Sequence, residues 1–243
     1  MKYSVIIPIY NEEDSLLPLY NSLKEVMNKL NEPYEILFVD DGSTDSSLER
    51  LKRIYVNSNS LAIVILKERA GKSEALQAGF DNAEGEIYIT LDGDGQDNPK
   101  EIPFLLNKMD EGFDVVYGWR CRRQDPFIKK VASKIANLIR RLITKEKIHD
   151  VGCAMRVFRK KDVEQVCLSK GLHRFFSAIM VKLGYKVGEV EVVHYPRETG
   201  ISKYGIWDRL VEGTIDSIRF CFLNTHTLMS HERKYQIKEI LKT

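Results

Sequence analysis

The run Ile87-Tyr88-Ile89-Thr90-Leu91-Asp92-Gly93-Asp94-Gly95-Gln96-Asp97-Asn98-Pro99 holds the end of a strand, an acidic turn and a helix opener. The apolar stretch Glu86–Leu91 suits a strand buried on both faces, and Asn98 with Pro99 suits a helix start. The same grammar recurs upstream. Tyr3–Ile9 is an apolar run, followed by Tyr10-Asn11-Glu12-Glu13 and a helical pattern through Leu19, Leu23, Val26, Met27 and Leu30. Asp14 or Ser15 is placed to cap that helix, with Pro18 in its first turn. Tyr34–Val39 leads through Asp40-Asp41-Gly42-Ser43 into a helix over Asp45–Tyr55, and Leu61–Leu66 leads into a helix over Lys72–Ala83. Phe113–Tyr117 reads as a fifth strand. Strands alternating with helices predict an α/β fold with a Rossmann-like, mostly parallel sheet covered by helices on both faces. Ligands of such sheets bind beyond the carboxyl ends of the strands, where these acidic and polar turns collect.

The 243 residues suffice for one sizeable α/β domain. With 43% hydrophobic and 30% charged residues the composition is that of a globular protein, and a formal net charge of +2 points to no particular partner. No C-x-x-C pair occurs among Cys121, Cys153, Cys167 and Cys221, so four reduced, mostly buried thiols are expected rather than disulfides or zinc. No window has the roughly 18–20 uninterrupted apolar residues of a membrane span. The N-terminal apolar run is short and has no small-residue cleavage site, so it reads as a strand. The second half is less regular. Pro126–Ile143 reads as a basic helix, Ala154–Phe158 as a strand, His173–Leu183 as a helix and Lys186–Val193 as a strand. Ile206–Leu223 has an amphipathic stripe that either packs on its own domain or meets a bilayer interface. The expected organisation is one catalytic domain over residues 1–225, with that helix at about 206–223, and a polar tail at 226–243 that is mobile from Ser230 on.

Several segments carry chemistry. Asp92, Asp94 and Gln96 crowd oxygen ligands, and close carboxylates repel unless a cation lies between them. A hard divalent ion shared with a diphosphate fits. An EF-hand does not, because Asp97 and Pro103 stand at the loop's sixth and twelfth positions. Asp40 and Asp41 could accept hydrogen bonds from a ribose or base, or simply turn the chain. Arg69-Ala70-Gly71-Lys72-Ser73 is not a P-loop, since Leu66 stands where its first glycine belongs. Between Trp119 and Lys147 ten basic residues face two acidic ones, about +8 by count. This stretch suits a solvated helix face, an anionic acceptor or an anionic lipid surface. No nucleic-acid recognition pattern accompanies it, and nucleic acid is not expected as a partner. The loop from His194 to Tyr204 could clamp and cover a diphosphate.

In this order the segments resemble the family 2 glycosyltransferases, and among them the polyprenyl-phosphate sugar transferases of the dolichol-phosphate mannose synthase type. The matching text is Val5–Glu13, Phe38–Asp45, Arg69–Phe80, Leu91–Pro103, Tyr117–Arg120, Asp150–Cys153 and Arg197-x-x-Gly200-x-Ser202-Lys203-Tyr204, spread over about residues 3–223. The resemblance implies a glycosyltransferase-A fold and an inverting transfer of a hexose from a UDP- or GDP-sugar to a polyprenyl phosphate. Pro8, Tyr10, Glu12, Asp40, Asp41, Lys72 and Gly93 would line the donor pocket. Asp92, Asp94 and Gln96 would hold Mg²⁺ or Mn²⁺ with the diphosphate. Arg120, Lys129 and Ser133 would bind the acceptor phosphate and leaving diphosphate, and Arg197, Ser202 and Lys203 would close over them. Asp94 and Arg120 are the leading catalytic candidates, with Asp150 as an acceptor-orienting group or base.

Gly93 and Gly95 stand where alanine and a bulkier apolar residue are commoner, which is expected to loosen their loop. Lys129 replaces an expected arginine and lacks its bidentate fork. The transmembrane hairpin that follows the catalytic domain in many members is not found in this sequence. The expected setting is the cytoplasmic face of a membrane, peripherally bound, with a membrane-protein partner or a second copy as further options. Two other readings stay open: a transferase of the same fold acting on a hydroxyl acceptor in polysaccharide or lipopolysaccharide synthesis, and a non-catalytic nucleotide-sugar binding protein. A sugar-1-phosphate nucleotidyltransferase is disfavoured because Val5–Glu13 lacks its glycine-rich opening.

Overall fold

A computed structural model describes residues 1–121, 148–168, 171–193 and 234–242. The basic stretch beyond Cys121, the loop from His194 and the stripe at 206–223 lie outside the described residues.

The strands are β1 (Tyr3–Ile9), β2 (Tyr34–Asp40), β3 (Leu61–Leu66), β4 (Ile87–Thr90), β5 (Val115–Trp119), β6 (Arg156–Arg159), β7 (Val187–Glu191) and β8 (Ile237–Lys242). The helices are α1 (Leu16–Lys29), α2 (Ser47–Val56), α3 (Lys72–Asn82), α4 (Ile102–Asp110), the single turn α5 (Lys160–Val163) and α6 (Phe176–Lys182). Pro99–Glu101 and Leu172–Phe175 form 3₁₀ turns. The sheet runs β7-β5-β6-β4-β1-β2-β3-β8. Pairing is parallel through β4-β1-β2-β3 and between β5 and β7; β6 and β8 run antiparallel to their neighbours.

Two apolar layers explain why the sheet is buried on both faces. Val5, Ile7 and Ile9 point with Ile36 and Phe38 toward α1, α2 and α4, whereas Ile6, Leu37, Val39 and Val64 meet α3 and α6. Every residue of β3 is buried, which accounts for its unbroken apolar sequence.

The C-terminal tail differs from the expectation. Ile237–Lys242 is an edge strand paired with β3, with Ile63 opposite Leu241 and Val64 opposite Ile240. Lys67 N–H donates to Gln236 O at 2.9 Å, and Tyr55 Oη to Lys242 O at 2.7 Å. The polar side chains of that strand are tied down on both sides of the sheet: Glu239 meets Lys52 at 3.1 Å, and Lys242 Nζ donates to Asn82 O at 3.1 Å.

Candidate donor and acceptor site

The parallel strands β1 to β4 end at one rim, and their following loops are tied to one another. Asn11 takes a left-handed conformation (φ 54°) just past β1. Its side-chain Oδ1 accepts from Thr44 N at 2.8 Å, its Nδ2 donates to Thr44 Oγ1 at 3.1 Å, and its N–H donates to Ser43 Oγ. Glu12 N–H donates to Ser47 Oγ at 2.9 Å, so the β1 and β2 loops form one unit. Ser15 stands at the α1 N-cap, but its hydroxyl makes no cap bond there. It reaches instead toward Glu12 O and Gly93 O, at 2.9 and 2.5 Å, tying the first loop to the fourth.

Asp40 and Asp41 are buried at the end of β2. Burial pushes both carboxyls above the ordinary range, against the hydrogen bonds that favour ionisation. Asp40 accepts from Ser43 N, and Asp41 accepts from Ala70 N at 2.7 Å and from Gly71 N. Asp41 therefore holds the loop that opens α3. Gly42 lets this loop approach: it has φ +69°, and a Cβ there would lie 2.8 Å from Arg69 N. Arg69 caps the Tyr10 ring at 4.1 Å.

Past β4, Asp92 pairs with Lys72 of α3. Burial works against the Asp92 charge, but Lys72, with Arg156 and Arg120 further away, brings its pKa below the ordinary value. Asp94 Oδ1 accepts from Gln96 N at 3.1 Å. Gly93 has a packing reason to stand in this loop. A Cβ on Gly93 would stand 2.6 Å from Ile9 Cγ2, so the glycine is what lets the loop sit on β1. Among the described residues no three His, Cys, Asp or Glu groups converge on one point. A divalent ion here would have carboxylates from Asp92 and Asp94 only, with Gln96, water and a diphosphate supplying the remaining oxygens. That is a usual way of holding Mg²⁺, and the donor set fits it.

Arg120 follows β5, and Asp150 lies 30 residues on. Arg120 Nε donates to Asp150 Oδ2 at 2.7 Å and Nη2 to Oδ1 at 2.9 Å, a two-pronged pair whose side chains are each 10% exposed. Burial opposes the Arg120 charge, yet Asp150 raises its pKa beyond any relevant pH. Gly152 N–H also donates to Asp150 Oδ1, at 3.2 Å. Asp150 therefore orients a cation. Trp119 beside it stacks on His149 at 4.5 Å, and His149 Nδ1 meets Glu189 at 2.7 Å.

The rim thus brings together Pro8, Tyr10, Glu12, Asp40, Asp41, Lys72, Asp92, Gly93, Asp94, Gln96, Arg120 and Asp150. Lys129, Ser133, Arg197, Ser202 and Lys203 lie outside the described residues. Sequence reading missed three further groups. Ser73, buried in the first turn of α3, contacts His173 Nδ1 through its hydroxyl at 2.7 Å. His173 is held neutral, first by burial and then by Lys72, Arg156 and Arg174. Arg156 is buried at the start of β6. Their only sequence signal was an arginine inside the apolar run Ala154–Phe158 and a histidine near a glycine.

Residues 4–167 match the family described as glycosyl transferase family 2. The dodecaprenyl-phosphate galacturonate synthase of Rhizobium johnstonii is 38% identical over 212 residues, covering 85% of this chain and 62% of the relative. The undecaprenyl-phosphate 4-deoxy-4-formamido-L-arabinose transferase of Serratia proteamaculans is 37% identical over 206 residues, covering 84% and 63%. The chain thus spans a little over three-fifths of the length of these curated relatives. Glucosyl-3-phosphoglycerate synthase from Mycobacterium tuberculosis, solved with Mn²⁺, UDP and glucosyl-3-phosphoglycerate, superposes with a TM-score of 0.69 at 17% identity, covering 90% of this chain and 79% of that one. The same enzyme with Mg²⁺ and UDP gives 0.64 at 16% identity, covering 89% and 79%. The likeness to these solved structures speaks to the fold, a mostly parallel sheet with helices of the glycosyltransferase-A kind. The family match over residues 4–167 shows that the chain belongs to glycosyl transferase family 2.

Proposed function

We propose that this chain transfers a sugar from a nucleotide diphosphate-sugar to a polyprenyl phosphate at a membrane surface, with inversion at the anomeric carbon. The observation that carries the acceptor half is the Arg120–Asp150 pair. A hydroxyl acceptor needs a carboxylate base within reach of its proton. Asp150, the candidate for that role, is engaged by Arg120 through both oxygens. A phosphate acceptor is already anionic at neutral pH and needs an oriented cation, which this pair supplies. The named relatives, two transferases of prenyl-phosphate sugars, support the same reading.

On the donor side the β1–β2 loops, with Arg69 over Tyr10, are the proposed contacts for the nucleotide. Asp41 holds the α3 opening so that Lys72 faces Asp92. A bound Mg²⁺ or Mn²⁺ would neutralise the departing diphosphate. Asp92 and Asp94 would hold that ion, and Lys72 and Arg120 would add fixed positive charge around the leaving group. Lys129, Ser133, Arg197, Ser202 and Lys203 are proposed to complete the acceptor and diphosphate contacts. Among the described residues no helix is long and apolar enough to cross a membrane. A polyprenyl phosphate acceptor resides in a membrane, so the proposed setting is the cytoplasmic face of a membrane, with attachment through this chain or a membrane partner.

The test is nucleoside diphosphate release by purified protein with Mn²⁺. The donors would be UDP- and GDP-linked hexoses, a uronic acid and 4-formamido-arabinose, each with and without a short polyprenyl phosphate. Release that requires the lipid phosphate supports the reading and names the donor. Clear donor binding with no stimulation by any lipid phosphate overturns it.

A further inference from the structure

Two parts of the site come from chain segments that share no motif. Asp150 and its partner Arg120 depend on the loop 148–153, while α3 with Lys72 is braced by the turn at Gly171–His173. One side chain touches both. Arg156 Nε donates to Cys153 O at 3.1 Å and Nη2 to Val151 O at 3.4 Å, both in the first segment. Its Nη1 donates to His173 O at 3.3 Å, in the second. Arg156 is 7% exposed, and its guanidinium carbon lies 4.8 Å from the centre of the Tyr117 ring and 5.8 Å from that of the Phe176 ring. The second segment continues into α3. Ser73 Oγ accepts from Gly171 N at 3.1 Å and from His173 N at 3.4 Å. Both acceptor positions of that hydroxyl are thus filled, so its one proton goes to His173 Nδ1 at 2.7 Å. The neutral imidazole therefore carries its own proton on Nε2.

We propose that Arg156 is a positioning residue that sets the Arg120–Asp150 pair and the Ser73–His173 brace of Lys72 in one fixed relation, through three backbone carbonyls on two loops. This inference rests on the transferase reading for its kinetic consequence, not for its structural one. The spread fork of a guanidinium is required: the three N–H donors of a lysine leave a single nitrogen and cannot span carbonyls that Arg156 reaches through three separate nitrogens. The arrangement links the acceptor cation to the donor cation without touching substrate.

The test uses the full chain with Arg156→Lys, and Ser73→Ala as a second variant. In Arg156→Lys, amide exchange should quicken about tenfold or more in both 148–153 and 171–175, with β1–β3 unchanged. Turnover should fall roughly 10–100-fold, with a raised KM for donor, as expected when reacting groups shift by about an ångström. Ser73→Ala should loosen 171–175 and leave 148–153 protected, which keeps the inference testable if Arg156→Lys fails to fold. Exchange that changes in neither segment or only one in Arg156→Lys overturns the inference. So does turnover that falls only as the folded fraction falls, with wild-type KM, or Ser73→Ala leaving 171–175 as protected as before. Exchange needs no substrate, so a chain that turns over no donor would defeat the transferase reading while the exchange result still decides this one.

Discussion

The donor side and the acceptor side of this rim are built differently. The donor side is a run of loops after consecutive parallel strands, each hydrogen-bonded to the next: Asn11 to Thr44, Glu12 to Ser47, Ser15 to Gly93, Asp41 to Gly71, Lys72 to Asp92. The acceptor side, among the described residues, centres on the buried ion pair between Arg120 and Asp150, with Glu189 accepting from the His149 and Asp150 N–H groups and Arg156 behind it. The first is redundant, so single changes should be graded. The second is concentrated, so single changes there should be severe.

The sharpest way to break that contrast is Asp150→Ala. It leaves the Arg120 guanidinium buried and unpaired, which should cost about 3–5 kcal/mol of stability in chemical denaturation. Asp150→Asn separates the two roles of this residue. An orienting Asp150 predicts a raised KM for lipid phosphate with residual turnover, whereas a base predicts kcat abolished with KM unchanged.

Next in size is Asp94→Ala, expected to lower kcat by roughly 10²–10³-fold, the range for removing one electrostatic stabiliser of a developing charge. Donor binding measured without acceptor should weaken less.

Asp41→Asn should raise the donor Kd about tenfold, about 1.4 kcal/mol, because a neutral amide grips the Ala70 and Gly71 amides less well. The same site predicts a pH signature. The native Asp40 and Asp41 carboxyls have raised pKa values, so they take up protons before the unfolded chain does. Acidification through those values favours the folded state at these two groups, while it removes the charges proposed to bind donor. Wild-type donor affinity should therefore fall at a pH above that of an ordinary aspartate, ahead of any loss of fold.

Leu241→Ala in the edge strand should cost least, about 1 kcal/mol in thermal melts, with donor KM unchanged. A rise in donor KM would show that β8 also steadies the Lys67 loop.

The same contrast explains what was legible in the sequence. The donor half is written locally: an apolar strand, an acidic or glycine turn and a helix start recur four times, and each functional side chain sits within a few residues of a strand end. The acceptor half is not. Asp150 finds Arg120 only because the antiparallel β6 inserts between β4 and β5, a pairing that no local pattern encodes. His173 read as a helix start, and only the approach of Gly171 to α3 gives it a partner. The terminal strand read as a polar tail because Ile237–Lys242 does not alternate polar and apolar residues and stays largely exposed, and β3 supplies the backbone pairing that local sequence does not show.

The central claim is that the acceptor is a phosphate whose charge meets an oriented arginine. The most direct measurement is mass analysis of the product formed from one active donor with a short polyprenyl phosphate and, in parallel, with the matching polyprenol. The account predicts a sugar-bearing lipid that retains one phosphate from the first, and no product from the second. Equal transfer to the free alcohol would contradict it.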